Sequence, residues 1–154
     1  MNEILHARAE ELTGKHTAAH EGYEVTKCPF VPRRPGGQCV VNLYRIPVGK
    51  AAYPYHYHLK NEEVFYILSG QGTLRTPQGE RTVTAGELLF FPASAEGAHK
   101  LVNTGSEELV YLDFDTANEL DVAMYPDSGK IGIWGKDVNR VFFEADAADY
   151  FAGE

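Results

Sequence analysis

The sequence predicts an all-β fold, a single barrel or sandwich of many short strands. Three observations predict it. From Gln38 onward, short β-rich runs follow one another, each closed by turn residues such as Pro47-Val48-Gly49, Pro77-Gln78-Gly79 and Asn103-Thr104-Gly105. No sizeable helical pattern interrupts them, which disfavours a parallel sheet of βαβ units. The 154 residues, 44% hydrophobic and 12% aromatic, suit one globular domain with a real core.

The elements follow in order. Asn2 to Thr13 reads as a short helix, with Ile4, Leu5, Ala9 and Leu12 at roughly helical spacing and Gly14 to end it. Lys15 to Gly37 reads as irregular, punctuated by Pro29, Pro32, Pro35, Gly36 and Gly37, and is expected as extended segments that wrap the barrel or as contacts with a second subunit. Strands are expected at Cys39–Ile46, Tyr53–His58, Val64–Ser69, Gly72–Thr76, Glu80–Val83, Leu88–Pro92, Ala98–Asn103, Glu108–Phe114 and Lys130–Ile133. The tail from Val138 reads as one more strand, Val141-Phe142-Phe143, then a short acidic helix. The chain thus divides into an N-terminal helix and wrapping segment (1–37), a barrel (38–116) and a C-terminal extension packed on it (117–154).

Charge excludes some roles. A formal net charge of −8 from 14 basic and 22 acidic residues disfavours general nucleic-acid or membrane-surface binding. The basic doublet Arg33-Arg34 lies between prolines and is too short to track phosphates. The longest apolar runs, Val64 to Leu68 and Leu88 to Pro92, are too short to cross a bilayer. Met1-Asn2-Glu3-Ile4-Leu5-His6 carries no apolar signal-peptide core, so the expected location is cytoplasmic. Cys28 and Cys39 are then expected as free thiols rather than a disulfide, and neither sits in a CxxC pair.

The chemistry concentrates in four residues. His56 and His58 are two apart, so on a strand both imidazoles project from one face. Glu63 follows His58 by five residues, enough for a turn that returns the chain antiparallel and opens the next strand beside the first. His99 comes 36 residues after Glu63, at the start of another strand. Three imidazoles and a carboxylate suit one divalent transition metal, Fe, Mn, Ni, Zn, Co or Cu, with coordination positions left for substrate.

These residues resemble the cupin superfamily. Its first motif is G-x5-HxH-x(3–4)-E-x6-G, and here His56-x-His58 is followed by Glu63 and, six residues on, by Gly70. Gly49 precedes His56 by one residue more than the pattern asks. The second motif is G-x5-P-x-G-x2-H-x3-N, matched by Gly86, Pro92, His99 and Asn103, with Gly97 displaced. The pattern also admits Glu62, but the spacing to Gly70 and the face shared with Phe65 and Ile67 select Glu63. The resemblance implies a jelly-roll barrel, a metal on His56, His58, Glu63 and His99, a small-molecule substrate and a homodimer.

The surroundings read mostly as structural. Tyr53, Tyr55 and Tyr57 alternate with the histidines and are expected to face outward, in sheet packing or a dimer interface. Val64, Tyr66 and Leu68 form an apolar outward face that something should cover. Phe65, Ile67 and Phe91 are possible pocket walls, Lys100 should point away from His99, and Asn103 should cap a turn. The segment Tyr125-Pro126-Asp127-Ser128-Gly129-Lys130 is similar to a tail of bacterial single-domain cupins, some labelled sugar-phosphate isomerases. The favoured expectation is therefore a metal-dependent isomerase or epimerase of a sugar or sugar phosphate, with Glu63 or a metal-bound hydroxide moving protons. An Fe(II) or Mn dioxygenase and a non-catalytic metabolite-binding protein use the same ligands.

Overall fold

The structure, a computed structural model, describes residues 3–154. Thirteen strands carry it: β1 (Lys15–His20), β2 (Tyr23–Val31), β3 (Cys39–Ile46), β4 (Tyr57–His58), β5 (Glu63–Ser69), β6 (Gln71–Thr76), β7 (Gly79–Thr84), β8 (Leu88–Phe91), β9 (Lys100–Val102), β10 (Leu109–Thr116), β11 (Leu120–Tyr125), β12 (Lys130–Gly135) and β13 (Asn139–Phe143). They form a six-stranded sheet ordered β1-β2-β3-β10-β5-β8, a four-stranded sheet β13-β12-β11-β4 and a three-stranded sheet β7-β6-β9. Every strand pairing is antiparallel.

Period-two alternation builds the core. On β5, Glu63, Phe65 and Ile67 are buried, while Val64, Tyr66 and Leu68 are only half-buried. The buried set meets Tyr44 and Ile46 of β3 and Leu109 and Tyr111 of β10 on the same sheet. Leu74 and Val83 of the three-stranded sheet close the cluster, with Leu101 of β9. The barrel interior is apolar at this end and polar at the other, where β5 begins.

Several expectations change. Residues 15–31 are not irregular: β1 and β2 form a hairpin through Glu21-Gly22, and β2 joins β3. Pro29 hid this strand, but it sits where the β2–β3 register shifts, a place that tolerates a missing N–H. β11, between the barrel and the Tyr125 segment, was not expected. Asn2, the proposed start of the first helix, lies outside the described residues. Within them the helix reduces to one 3-10 turn, Ala9–Glu11, and Ile4 is 98% exposed. A segment that short is marginal as an isolated helix unless an apolar face packs. The C-terminal helix likewise reduces to a 3-10 turn, Glu144–Asp146. Both cysteines are free, Cys28 buried and Cys39 exposed. No helix is long and apolar enough to cross a membrane among the described residues.

Candidate metal centre

The four expected ligands meet at the polar end of the barrel. His56 lies outside β4, which spans only Tyr57 and His58. His56 is instead clamped to His99 by reciprocal backbone bonds, His56 N–H to the His99 carbonyl at 3.1 Å and His99 N–H to the His56 carbonyl at 2.9 Å. Their rings lie 4.8 Å apart, and those of His56 and His58 lie 5.1 Å apart. Glu63 opens β5 with its Oε2 3.3 Å from His99 Nε2 and 3.7 Å from His58 Nε2. One donor atom each from His56, His58 and Glu63 falls within 4.8 Å of the others.

Each imidazole is fixed through Nδ1. His56 Nδ1 donates to the Pro54 carbonyl at 2.8 Å, and His99 Nδ1 to the Gly97 carbonyl at 2.9 Å. His58 Nδ1 donates to Asp121, which also accepts the backbone N–H groups of Lys60 at 3.0 Å and Asn61 at 3.2 Å. All three Nε2 atoms therefore keep their lone pairs, and those of His58 and His99 lie beside Glu63. His99 Nε2 is buried without a hydrogen-bond partner among the described residues. Lone pairs converging on a carboxylate repel unless a cation lies among them, so this donor set fits a divalent transition metal.

The electrostatics divide the four, favouring neutral imidazoles at His56 and His99 but the protonated forms of His58 and Glu63. Burial, then the neighbouring His58 charge, lowers His56 to about 4. Burial and the charge of His56 hold His99 well below the usual histidine value. Burial would lower His58 as well, but its bond to Asp121 and the charge of Glu63 outweigh that and raise it. Burial raises the Glu63 carboxyl to about 8 against the pull of His58.

Apolar rings wall the site. Phe91 stacks on His99 at 3.7 Å with 19° between planes, and Phe65 meets His99 edge-on at 5.4 Å. Tyr125 stacks on His56 at 5.8 Å. The cavity holds about 350 Å³. Tyr53 lines it and bonds Tyr44 through the two hydroxyls at 3.2 Å, so it does not face away as expected. Strand parity failed there because the strand begins only at Tyr57. Tyr55 is buried outside that cavity, with the Arg75 guanidinium 4.0 Å over its ring. Lys100 is on the cavity rim, turned to the Tyr23 hydroxyl at 3.1 Å. Ile67 is plain core, and Asn103 caps its turn by accepting the Gly105 N–H.

Three acids escaped the sequence reading. Asp121 is the anchor of His58. Asp113 and Asp115 form with Glu63 a second cluster of carboxylates within 4.8 Å. Asp115 stands opposite Glu63 in the β10–β5 ladder, and burial pushes both aspartates up. Two acids at alternate positions after Tyr111, on the inward face of β10, were the signal available.

Known proteins support this frame. The cupin domain family model matches residues 42–115. A curated relative, glucose-6-phosphate isomerase of Thermococcus gammatolerans, is 38% identical over 79 residues, 46% of this chain. The match spans 41% of that relative's length. A solved structure of a proposed sugar phosphate isomerase from Acidithiobacillus ferrooxidans aligns with TM-score 0.78 and 26% identity, over 91% of this chain and 90% of the other. A cupin sugar phosphate isomerase from Silicibacter pomeroyi aligns with TM-score 0.77 over 94% and 96%, its 19% identity speaking to fold alone. Both histidine motifs lie inside the segment that the family model matches, so residues 42–115 are a cupin domain.

Proposed function

We propose that the chain is a metal-dependent isomerase or epimerase of a small sugar or sugar phosphate, with the metal on His56, His58, Glu63 and His99. The observation that carries this is the convergence of three Nδ1-tethered imidazoles and one carboxylate in a cavity of about 350 Å³. The isomerase assignments of its relatives favour the reaction class. When bound, the metal supplies Lewis acidity at a substrate oxygen. Glu63, with Asp115 opposite it, holds and returns the proton exchanged between neighbouring substrate carbons. Phe65, Phe91 and Tyr125 limit water around that exchange. A homodimer, formed over the outward face of β5, is part of the same proposal.

The test is a turnover screen of sugar phosphates with the protein loaded in turn with each divalent metal. Activity that a chelator removes and one metal restores is expected. No turnover under any metal would reject the reading. Oxygen uptake by Fe(II)-loaded protein on phenolic, thiol or diketone substrates would replace it with the dioxygenase reading.

A further inference from the structure

A second cavity, of about 750 Å³, lies beside the metal centre. Lys27, Ala52, Tyr53 and Pro54 line both spaces, so the two adjoin along these residues, and His56 follows Pro54 by two. The β1–β2 hairpin, unforeseen in the sequence, forms its far side through Lys15, Thr17 and Tyr23, and the Asp127-Ser128 turn and Lys130 close it.

Its charge is unlike that of the molecule. The chain carries −8, yet Lys15, Lys27 and Lys130 line this one cavity. None of the three lysines has an ion pair among the described residues. Lys27 and Lys130 are half-buried and lie over aromatic faces instead, Lys27 5.4 Å from the Tyr44 ring centroid and Lys130 5.5 Å from that of Tyr125. Asp127 is the one acid in the lining, and Arg75 already holds it by two bonds of 2.6 and 2.8 Å. Lys27 also lies within electrostatic reach of Asp113 and Asp115, whereas no carboxylate pairs with Lys15 or Lys130 among the described residues, and such ammonium groups draw anions into a concave space.

We propose that this cavity is the anion subsite of the metal centre, taking the phosphate of a phosphorylated sugar whose carbonyl end lies at the histidines. The inference rests on the isomerase reading for the sugar, but not for the anion. The lysines supply charge-assisted bonds to phosphate oxygens, and Tyr23, Tyr53 and Tyr55 supply flat walls for the carbon chain.

The test is calorimetric titration of the full-length protein with inorganic phosphate, fructose 6-phosphate and fructose. Phosphate should bind, and Lys27→Ala with Lys130→Ala should weaken it about tenfold or more. Fructose 6-phosphate should bind more tightly than fructose, and the double variant should erase that difference. Lys15→Ala with Lys130→Ala repeats the test without touching the Tyr44 contact, and Lys136→Ala, outside the cavity, should match the unaltered protein. Phosphate binding that is absent, or unchanged in both double variants, overturns the proposal. So does equal affinity for fructose and its phosphate. Lysine-dependent phosphate binding without turnover of any sugar phosphate keeps the subsite and rejects the isomerase. Turnover with lysine-independent binding does the reverse.

Discussion

Asp121 sets the direction of His58. It accepts from Nδ1 and from two backbone N–H groups, so its carboxylate is held rigid while it holds the ring. Burial acts to raise its pKa, but the bond from His58 outweighs burial and keeps it ionised and low. Asp121→Asn should leave the fold intact and cut metal affinity about 10- to 100-fold, read by competition with a chromophoric chelator. An unchanged affinity would show that His58 needs no anchor. Glu63 and Glu62 give a sharper contrast. Glu63 is 8% exposed and faces three imidazoles, whereas Glu62 is exposed and meets Thr116 through its backbone, donating its N–H to the hydroxyl and accepting the Thr116 N–H at its carbonyl. Glu63→Gln should abolish stoichiometric metal content by elemental analysis, and Glu62→Gln should retain it. The four proposed ligands were legible because their types and spacings repeat a pattern along the chain. Asp121 was not, since 63 residues separate it from His58 and only the pairing of β4 with β11 brings them together.

Gly97 shows how an element delivers a ligand. A Cβ on it would stand 2.0 Å from the Pro92 carbonyl oxygen, so the turn between β8 and His99 closes only around glycine. The same residue offers its carbonyl to His99 Nδ1. Its shift from the motif position therefore keeps a function at a new register. Gly97→Ala should destabilise by about 1–3 kcal/mol through overpacking, seen in thermal unfolding. It should also remove the rise in melting temperature that a bound metal gives, because the clash displaces His99. Retention of that rise would place the metal elsewhere. A strand with clean alternation, such as β5, was readable from its residues. β2 was not, because Pro29 argues against a strand unless a register shift is known to receive it. The Tyr53–His58 run misled in the opposite direction: it has strand composition, but Pro54 and the His56–His99 bridge interrupt it.

Among the described residues, the chain leaves an apolar face open on β8, β5 and β10. β8, β5 and β10 are neighbours, and their registers set Leu88 beside Tyr66, Phe90 beside Val64 and Phe114 beyond it. Leu88 is 70% exposed, Phe90 59% and Phe114 40%. The sequence showed half of this face in Val64, Tyr66 and Leu68, but not that Leu88 and Phe90 extend it, since strand order is a property of the fold. A contiguous patch of large side chains is costly in water, and a flat sheet face is covered most simply by the same face of a second copy. The net charge of −8 does not prevent this, because none of the outward residues of the patch is an Asp, Glu, Lys, Arg or His. Light scattering after gel filtration should give twice the 17.1 kDa chain mass. Leu88→Glu with Phe90→Glu should give the single mass, with the metal content unchanged, because Glu63 and Phe91 of the same strands face the other side. A chain-mass particle before substitution would mean that the face stays open or meets a different partner.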